Sequence, residues 1–413
     1  MAPTARMALE GVRVLDFTWV VAGPVATRIL ADQGAEVIKI ERGDENAMSV
    51  IGPRRIGLQG ELHRNKRSAA INMTRPRGVE LARRLAAMSD LVMDNFSARV
   101  MRMWGMDYES LAKIKPDIIS ISMSGLGHTG PRCNYVSYGP TLQGLAGFTR
   151  MMANSRGEPG GFGYSYADMA GGYSGALAAL IALWHRKRTG RGQFVDLSQF
   201  EALTSLVGPA LLDIAVNGRT QEAPGWRSQE ASAAPHGVYR CRSRGGDDDR
   251  WIVVAVRSQA EWERFVSAIG NPTEDPNYNS AWTAEPKFRT LYLRMRNREE
   301  LDTHVARWAA TVDAEAAMGL LQRAGVAAGV AFNGADLATD PHLAAHGFFA
   351  PVKLPDGGST RLTGVPMRLS ATPGSIRTVA PEVGEDNDYV LGELLGLGRA
   401  ERAELIAEGA VWG

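Results

Sequence analysis

A chain of 413 residues exceeds what one ordinary core serves, so two or three domains are expected, and 45% apolar with 22% charged residues is the composition of a globular protein. The formal net charge of +1 supplies no long-range field for a polyanion and argues against a nucleic-acid partner. Cys133 and Cys241 form neither a disulfide framework nor a metal spacing, and no stretch reads as a signal peptide or membrane span, so the expected setting is the reducing cytoplasm, away from membranes.

Residues 12–17 read as a short apolar strand, 25–32 as a helix stopped at Gly34, and 36–40 as a second strand, which together make a β-α-β unit. The alternation continues with a helix at 78–88, a strand at 90–93, a helix at 108–114 and a strand at 117–123. A helix rich in Ala and Leu follows at 173–184, then a strand at 193–197 and a helix at 199–216. Such alternation predicts an α/β fold, a parallel doubly wound sheet covered by helices, with ligands near the carboxyl ends of its strands. Residues 217–236 are polar and contain Pro and Gly, as a linker does. Strands at 237–241 and 251–256 and helices at 259–269, 301–310 and 314–324 then predict a smaller α+β domain. Short strands at 349–354 and 360–365 and a helical piece at 389–395 lack a core of their own. The domain reading is therefore a large α/β domain over 1–216, a linker over 217–236, a small domain over 237–329, and a return to the large domain over 330–413.

The richest chemistry lies between Tyr166 and Gln193. Asp168 stands ahead of Gly171-Gly172 and the Ala/Leu-rich helix, where N-terminal amides stabilise an anion or a developing oxyanion. On position alone an N-cap is the commoner role for such an Asp, and a nucleophile is the sharper alternative. The turn after the first strand is Ala22-Gly23-Pro24 and not the glycine fingerprint of a dinucleotide site, which argues against a nicotinamide cofactor. Arg42, just beyond the second strand, and the group Arg64, Lys66 and Arg67 are either solvated surface cations or partners for a phosphorylated ligand. His342 and His346 have helical metal-pair spacing but lack the Glu and third ligand, so no metal site is expected.

Several blocks in a fixed order carry a resemblance. Residues 15–24 (LDFTWVVAGP), 30–42 (LADQGAEVIKIER), 65–68 (NKRS), 94–97 (DNFS), 124–131 (SGLGHTGP), Asp168 and 189–193 (TGRGQ) closely resemble the class III coenzyme A transferases, which include formyl-CoA, carnitine and bile-acid CoA-transferases. The resemblance covers nearly the whole chain. It implies a doubly wound (Rossmann-like) large domain, a smaller domain, two long linkers, and two subunits interlocked like rings in a homodimer. It also implies that Asp168 is the catalytic carboxylate, attacking an acyl-CoA thioester to give a mixed anhydride and then an aspartyl-CoA thioester, with acyl-CoA and a carboxylic acid as substrates and no metal. Backbone amides around Gly171 and Gly172 would be the oxyanion donors.

By the same resemblance Val20 and Val21 line the pantetheine path, Arg42 meets the nucleotide end, Ile71 and Phe96 enclose adenine, Arg75 reaches a phosphate, and Asn95 and Tyr138 bond along the cofactor arm. The chain departs from the family at three places. Met103 stands where a basic residue often precedes the Trp-Gly pair, leaving Arg102 as the neighbouring cation; Val136 and Ser137 replace a lysine used by some relatives; and no glycine-rich lid is evident. A related α-methylacyl-CoA racemase activity would need a histidine where Tyr138 stands, so Tyr138 favours transfer. A third reading is a CoA-binding or scaffolding subunit of a heteromeric transferase, which retention of Asp168 opposes. Trp19, Phe148, Phe162, Tyr164 and Tyr166 suit a medium-sized or aromatic acyl group, and dicarboxylic acids such as succinate follow by family analogy alone.

Overall fold

A computed structural model describes residues 6–43, 53–154, 156–220, 232–243, 249–270 and 278–413. Residues 221–231 of the expected linker lie outside the described residues. The chain forms two compact units, one from residues 1–149, 161–220 and 341–413, the other from 150–160 and 221–340.

The first unit is built on six parallel strands: β1 (Arg13–Asp16), β2 (Glu36–Glu41), β3 (Lys66–Ala70), β4 (Leu91–Asp94), β5 (Ile119–Ser122) and β6 (Gln193–Asp196). Their order, β3-β2-β1-β4-β5-β6, is that of a doubly wound sheet, with its switch point between β1 and β4. Leu15 sits opposite Ile38 and Val92, and Val14 opposite Val37 and Leu91. Because successive side chains alternate, these two rows feed different cores. Leu15, Ile38 and Val92 pack with Leu81 and Leu85 of the Pro76–Ala87 helix and with Val390, Leu391, Leu405 and Val411 from the end of the chain. Val14, Val37 and Leu91 pack with Val25 and Ile29 of the Ala22–Asp32 helix and with Ala176, Ala179 and Ala182 of the long Tyr166–Thr189 helix. Burial on both faces is what a parallel sheet requires.

Several elements differ from expectation for physical reasons. The long helix begins at Tyr166, not 173, and takes in Gly171 and Gly172. A Cβ on Gly172 would lie 2.6 Å from Val25 Cγ1, and one on Gly175 2.5 Å from Met123 Sδ, so these glycines allow close helix packing and do not break the helix. The 199–216 helix is split into Gln199–Thr204 and Gly208–Asn217 by a tight turn over Ser205–Val207. By length and composition alone the stretch Gln199–Asn217 is apolar enough to cross a membrane, a test that a core helix also passes, and Leu203 in its first half is fully buried.

The cations Arg64, Lys66 and Arg67 are ion-paired within the fold. The Arg64 guanidinium, wholly buried, donates to both carboxylate oxygens of Asp32 at 3.1 and 2.8 Å. Lys66 Nζ lies 3.1 Å from Asp16 Oδ2 with both side chains inaccessible, and Arg67 pairs with Asp386. These pairings lie within the fold, and they accompany the burial of Lys66 and Ser68 in the polar edge strand Lys66–Ala70.

The second unit holds an antiparallel sheet of β7 (His236–Arg240), β8 (Trp251–Ala255) and β9 (Ala327–Val330) in that order. Helices Gln259–Ile269, Arg298–Ala309 and Ala314–Arg323 contribute Trp262, Phe265, Leu301, Trp308 and Leu321 to its core. A hairpin of β10 (Phe349–Lys353) and β11 (Ser359–Thr363) belongs to the first unit.

Candidate active site

The loop after β1 is held from below. Asp16 Oδ1 accepts from the Thr18 N–H at 2.8 Å and the Thr18 hydroxyl at 2.6 Å, while its Oδ2 accepts from Thr27 at 2.7 Å and from Lys66. Lys39 Nζ donates to the Thr18 carbonyl at 2.5 Å. From β4, Asn95 Oδ1 accepts from the Trp19 N–H and Asn95 Nδ2 donates to the Trp19 carbonyl, both at 2.9 Å. The loop so clamped carries Val20 at φ +61°, a left-handed conformation that costs a β-branched residue roughly 1–3 kcal/mol. Asn95 is thus a strap between the β1 and β4 loops, its amide engaged by backbone.

Above this loop, at the β1/β4 switch point, lies a cavity of about 400 Å³. Its lining includes Trp19, Val20, Val21 and Ala22 after β1, Asn95, Phe96 and Arg99 after β4, the segment from Cys133 to Pro140, and Ser124, Gln199 and Asp168. The Ala22–Asp32 helix starts here with no side-chain cap, so by helix geometry the Ala22 N–H has no partner within its helix.

Asp168 occupies the first turn of the long helix, with Ser165 as the N-cap residue. It is neither an N-cap nor ahead of the helix, and the Gly171 and Gly172 amides lie inside the helix where they bond to preceding carbonyls. Those amides are therefore not available as oxyanion donors. Burial pushes the Asp168 carboxyl above the ordinary aspartate range, and the Ser165 hydroxyl pulls it partway back. No cation contributes to that balance. The Asp168 carboxylate fits against the backbone of Gly139, where a Cβ would lie 2.7 Å from Asp168 Oδ2.

A second cavity of about 190 Å³ shares Trp19, Val20 and Phe96 with the first and is also lined by Lys39, Arg42, Gln59, His63 and the ion pair Arg54–Glu41. His63 is buried and pushed well below its usual value, first by burial and then by Lys66, Lys39 and Arg54, so it is neutral at pH 7. Beneath the floor of the first cavity, burial raises Asp94 to about 6, against the Ser122 hydroxyl and the Phe96 N–H that both donate to it.

Of the residues singled out in the sequence, Asp168, Val20, Val21, Asn95, Phe96 and Tyr138 meet in the first cavity, and Arg42 lies in the second. The structure does not bring the other three there. Ile71 is 1% exposed in the core and bridges to Val411, Arg75 starts the Pro76–Ala87 helix, and Arg102 lines a separate cavity with His128 and Asp107. Ser124, which opens one of the motif blocks, also lines the first cavity, whereas Arg99, Gly139, Ser165 and Gln199 were not anticipated. Only Arg99 carried a usable signal, a cation a few residues beyond the carboxyl end of β4.

The sequence profile described as CoA-transferase family III matches residues 9–387. The chain belongs to CoA-transferase family III. Within that family it is 31% identical over 407 residues to succinyl-CoA–D-citramalate CoA-transferase of Chloroflexus aurantiacus, covering 97% of each chain. It is 29% identical to mouse succinyl-CoA:glutarate CoA-transferase, covering 98% of this chain and 90% of the relative. The crystal structure of a CAIB/BAIF family protein from Brucella suis superposes with a TM-score of 0.81 at 25% identity, over 94% of this chain and all of the other. The chain is accordingly a CoA-transferase of the type that moves CoA between an acyl-CoA and a carboxylic acid.

Proposed function

We propose that Asp168 is the nucleophile of this transfer, a reading carried by one observation: a half-buried carboxylate, its pKa raised by burial, lines the switch-point cavity. An Asp168 oxygen attacks the thioester carbonyl carbon, the C–S bond breaks, and CoA thiolate leaves a mixed anhydride. The thiolate then attacks the Asp168 carbonyl carbon, and the donor acid departs as carboxylate. The acceptor carboxylate attacks the resulting aspartyl thioester, and the returning thiolate takes the acceptor's acyl carbon and frees Asp168. One thioester is exchanged for another, so the cycle needs no external energy. The Ala22 N–H, at a helix start lining the same cavity, suits the oxyanion. No histidine lines the cavity among the described residues, which favours transfer over proton exchange at an α-carbon.

The cation-lined second cavity suits the nucleotide end of CoA, with pantetheine passing the wall of Val20 and Phe96. Succinyl-CoA is the donor of choice, from the names of the relatives. The protein acts as a homodimer in this reading. Tyr173, Leu177, Ile181 and Trp184 form a stripe along one face of the long helix, each more than half exposed, and Leu211, Leu212, Ile214 and Val216 are exposed on the Gly208–Asn217 helix; a second copy covers such apolar surface. The test of the nucleophile is intact-protein mass spectrometry after mixing with succinyl-CoA. The wild type gains an adduct that hydroxylamine removes, Asp168→Ala gains none and loses transfer by at least ~10³-fold, and an undiminished Asp168→Ala enzyme would end the proposal.

A further inference from the structure

Among the described residues lining the Asp168 cavity, Arg99 is the only cation. It is the N-cap residue of the short Val100–Met103 helix, it is exposed, and no carboxylate of the described residues forms an ion pair with it. Arg102, the cation the sequence favoured, belongs to another cavity and does not reach this one. Arg99 follows Phe96 by three residues, and Phe96 is part of the wall shared with the cation-lined cavity. Asp168 lines the same cavity. A guanidinium thus stands in the cavity close in sequence to the wall shared with the second one.

We infer that Arg99 binds a phosphate of CoA, taking the place expected of Arg102; the inference rests on the CoA-transfer reading above. An unpaired guanidinium at a cavity wall matches the two-oxygen face of a phosphate.

The test is calorimetric titration of CoA and of pantetheine, which has the same thiol arm without phosphates, into the wild type, Arg99→Ala and Arg99→Lys. Arg99→Ala should weaken CoA binding about tenfold, 1.4 kcal/mol, leave pantetheine unchanged and flatten the salt dependence of Kd, with Arg99→Lys intermediate. In steady-state transfer the KM for succinyl-CoA should rise with kcat within twofold, and the KM for succinyl-pantetheine should not move. Equal weakening of pantetheine would mean a structural role and overturn the inference. So would selective loss of affinity for dicarboxylic acceptors, or an Arg99→Ala protein that binds CoA as the wild type does. A wild type that fails to bind CoA would refute the transfer reading itself, and the Arg99 inference with it.

Discussion

Gly139→Ala places one methyl group against the proposed nucleophile. The new Cβ would lie 2.8 Å from Ser165 Cβ, 1.5 Å from Ser165 Oγ and 2.7 Å from Asp168 Oδ2. The two oxygens can rotate aside, but the Ser165 Cβ cannot. Restoring a normal carbon–carbon contact of roughly 3.5 Å means moving the start of the long helix by about 0.7 Å, and Asp168 moves with it. Since a misplacement of ~1 Å costs on the order of 100-fold in rate, the expected loss in kcat is roughly 30-fold, with a stability cost of about 1–3 kcal/mol from overpacking. Gly144 lies on the same short helix with nothing within 4 Å of its would-be Cβ, so Gly144→Ala should keep full activity and gain up to ~1 kcal/mol. The assay is steady-state transfer from succinyl-CoA, with urea unfolding of both variants alongside. A Gly139→Ala enzyme with kcat within twofold of the wild type would refute the placement of the nucleophile against Gly139.

The Ser165 hydroxyl favours the charged form of Asp168, so Ser165→Ala should raise that pKa further; because attack needs the carboxylate, the acid limb of kcat/KM moves to higher pH, and an unmoved limb would contradict the pairing. Asp16→Asn leaves Lys66 buried without its counter-charge and should cost about 3–5 kcal/mol in chemical denaturation, whereas a shift below 1 kcal/mol would show that the network is not needed. Charges on the long-helix stripe, as in the double variant Leu177→Glu/Ile181→Glu, should convert a dimer to monomers by light scattering, and an unchanged mass would remove that face from the interface.

The alternating strands and helices were legible because apolar periodicity records burial directly, as at Val14, Leu15, Val37 and Ile38. The strand Lys66–Ala70 was not, because its cations find their partners in carboxylates far away in sequence: Asp16 for Lys66 and Asp386 for Arg67. The same blindness made Arg64 look like a ligand cation when Asp32 already holds it. Gly171-Gly172 read as a break before a helix, since a sequence does not say that Val25 and Gln199 approach too closely for side chains there. The position of Asp168 was misread, because the helix begins at Tyr166 and takes Asp168 into its first turn. The motif blocks located the switch-point loop, but which nearby arginine faces the cavity depends on how the chain turns after β4, and that is set by packing.

The end of the chain supplies Val390, Leu391, Leu405 and Val411 to the core beneath β1, β2 and β4, while the other unit is spelled out earlier, between residues 221 and 340. During synthesis the inserted unit is therefore complete and free to fold while one face of the parallel sheet still waits for its last covering residues. Until those residues leave the ribosome, Leu15, Ile38 and Val92 stand without part of their cover, and that nascent intermediate is where a chaperone has the most to shield.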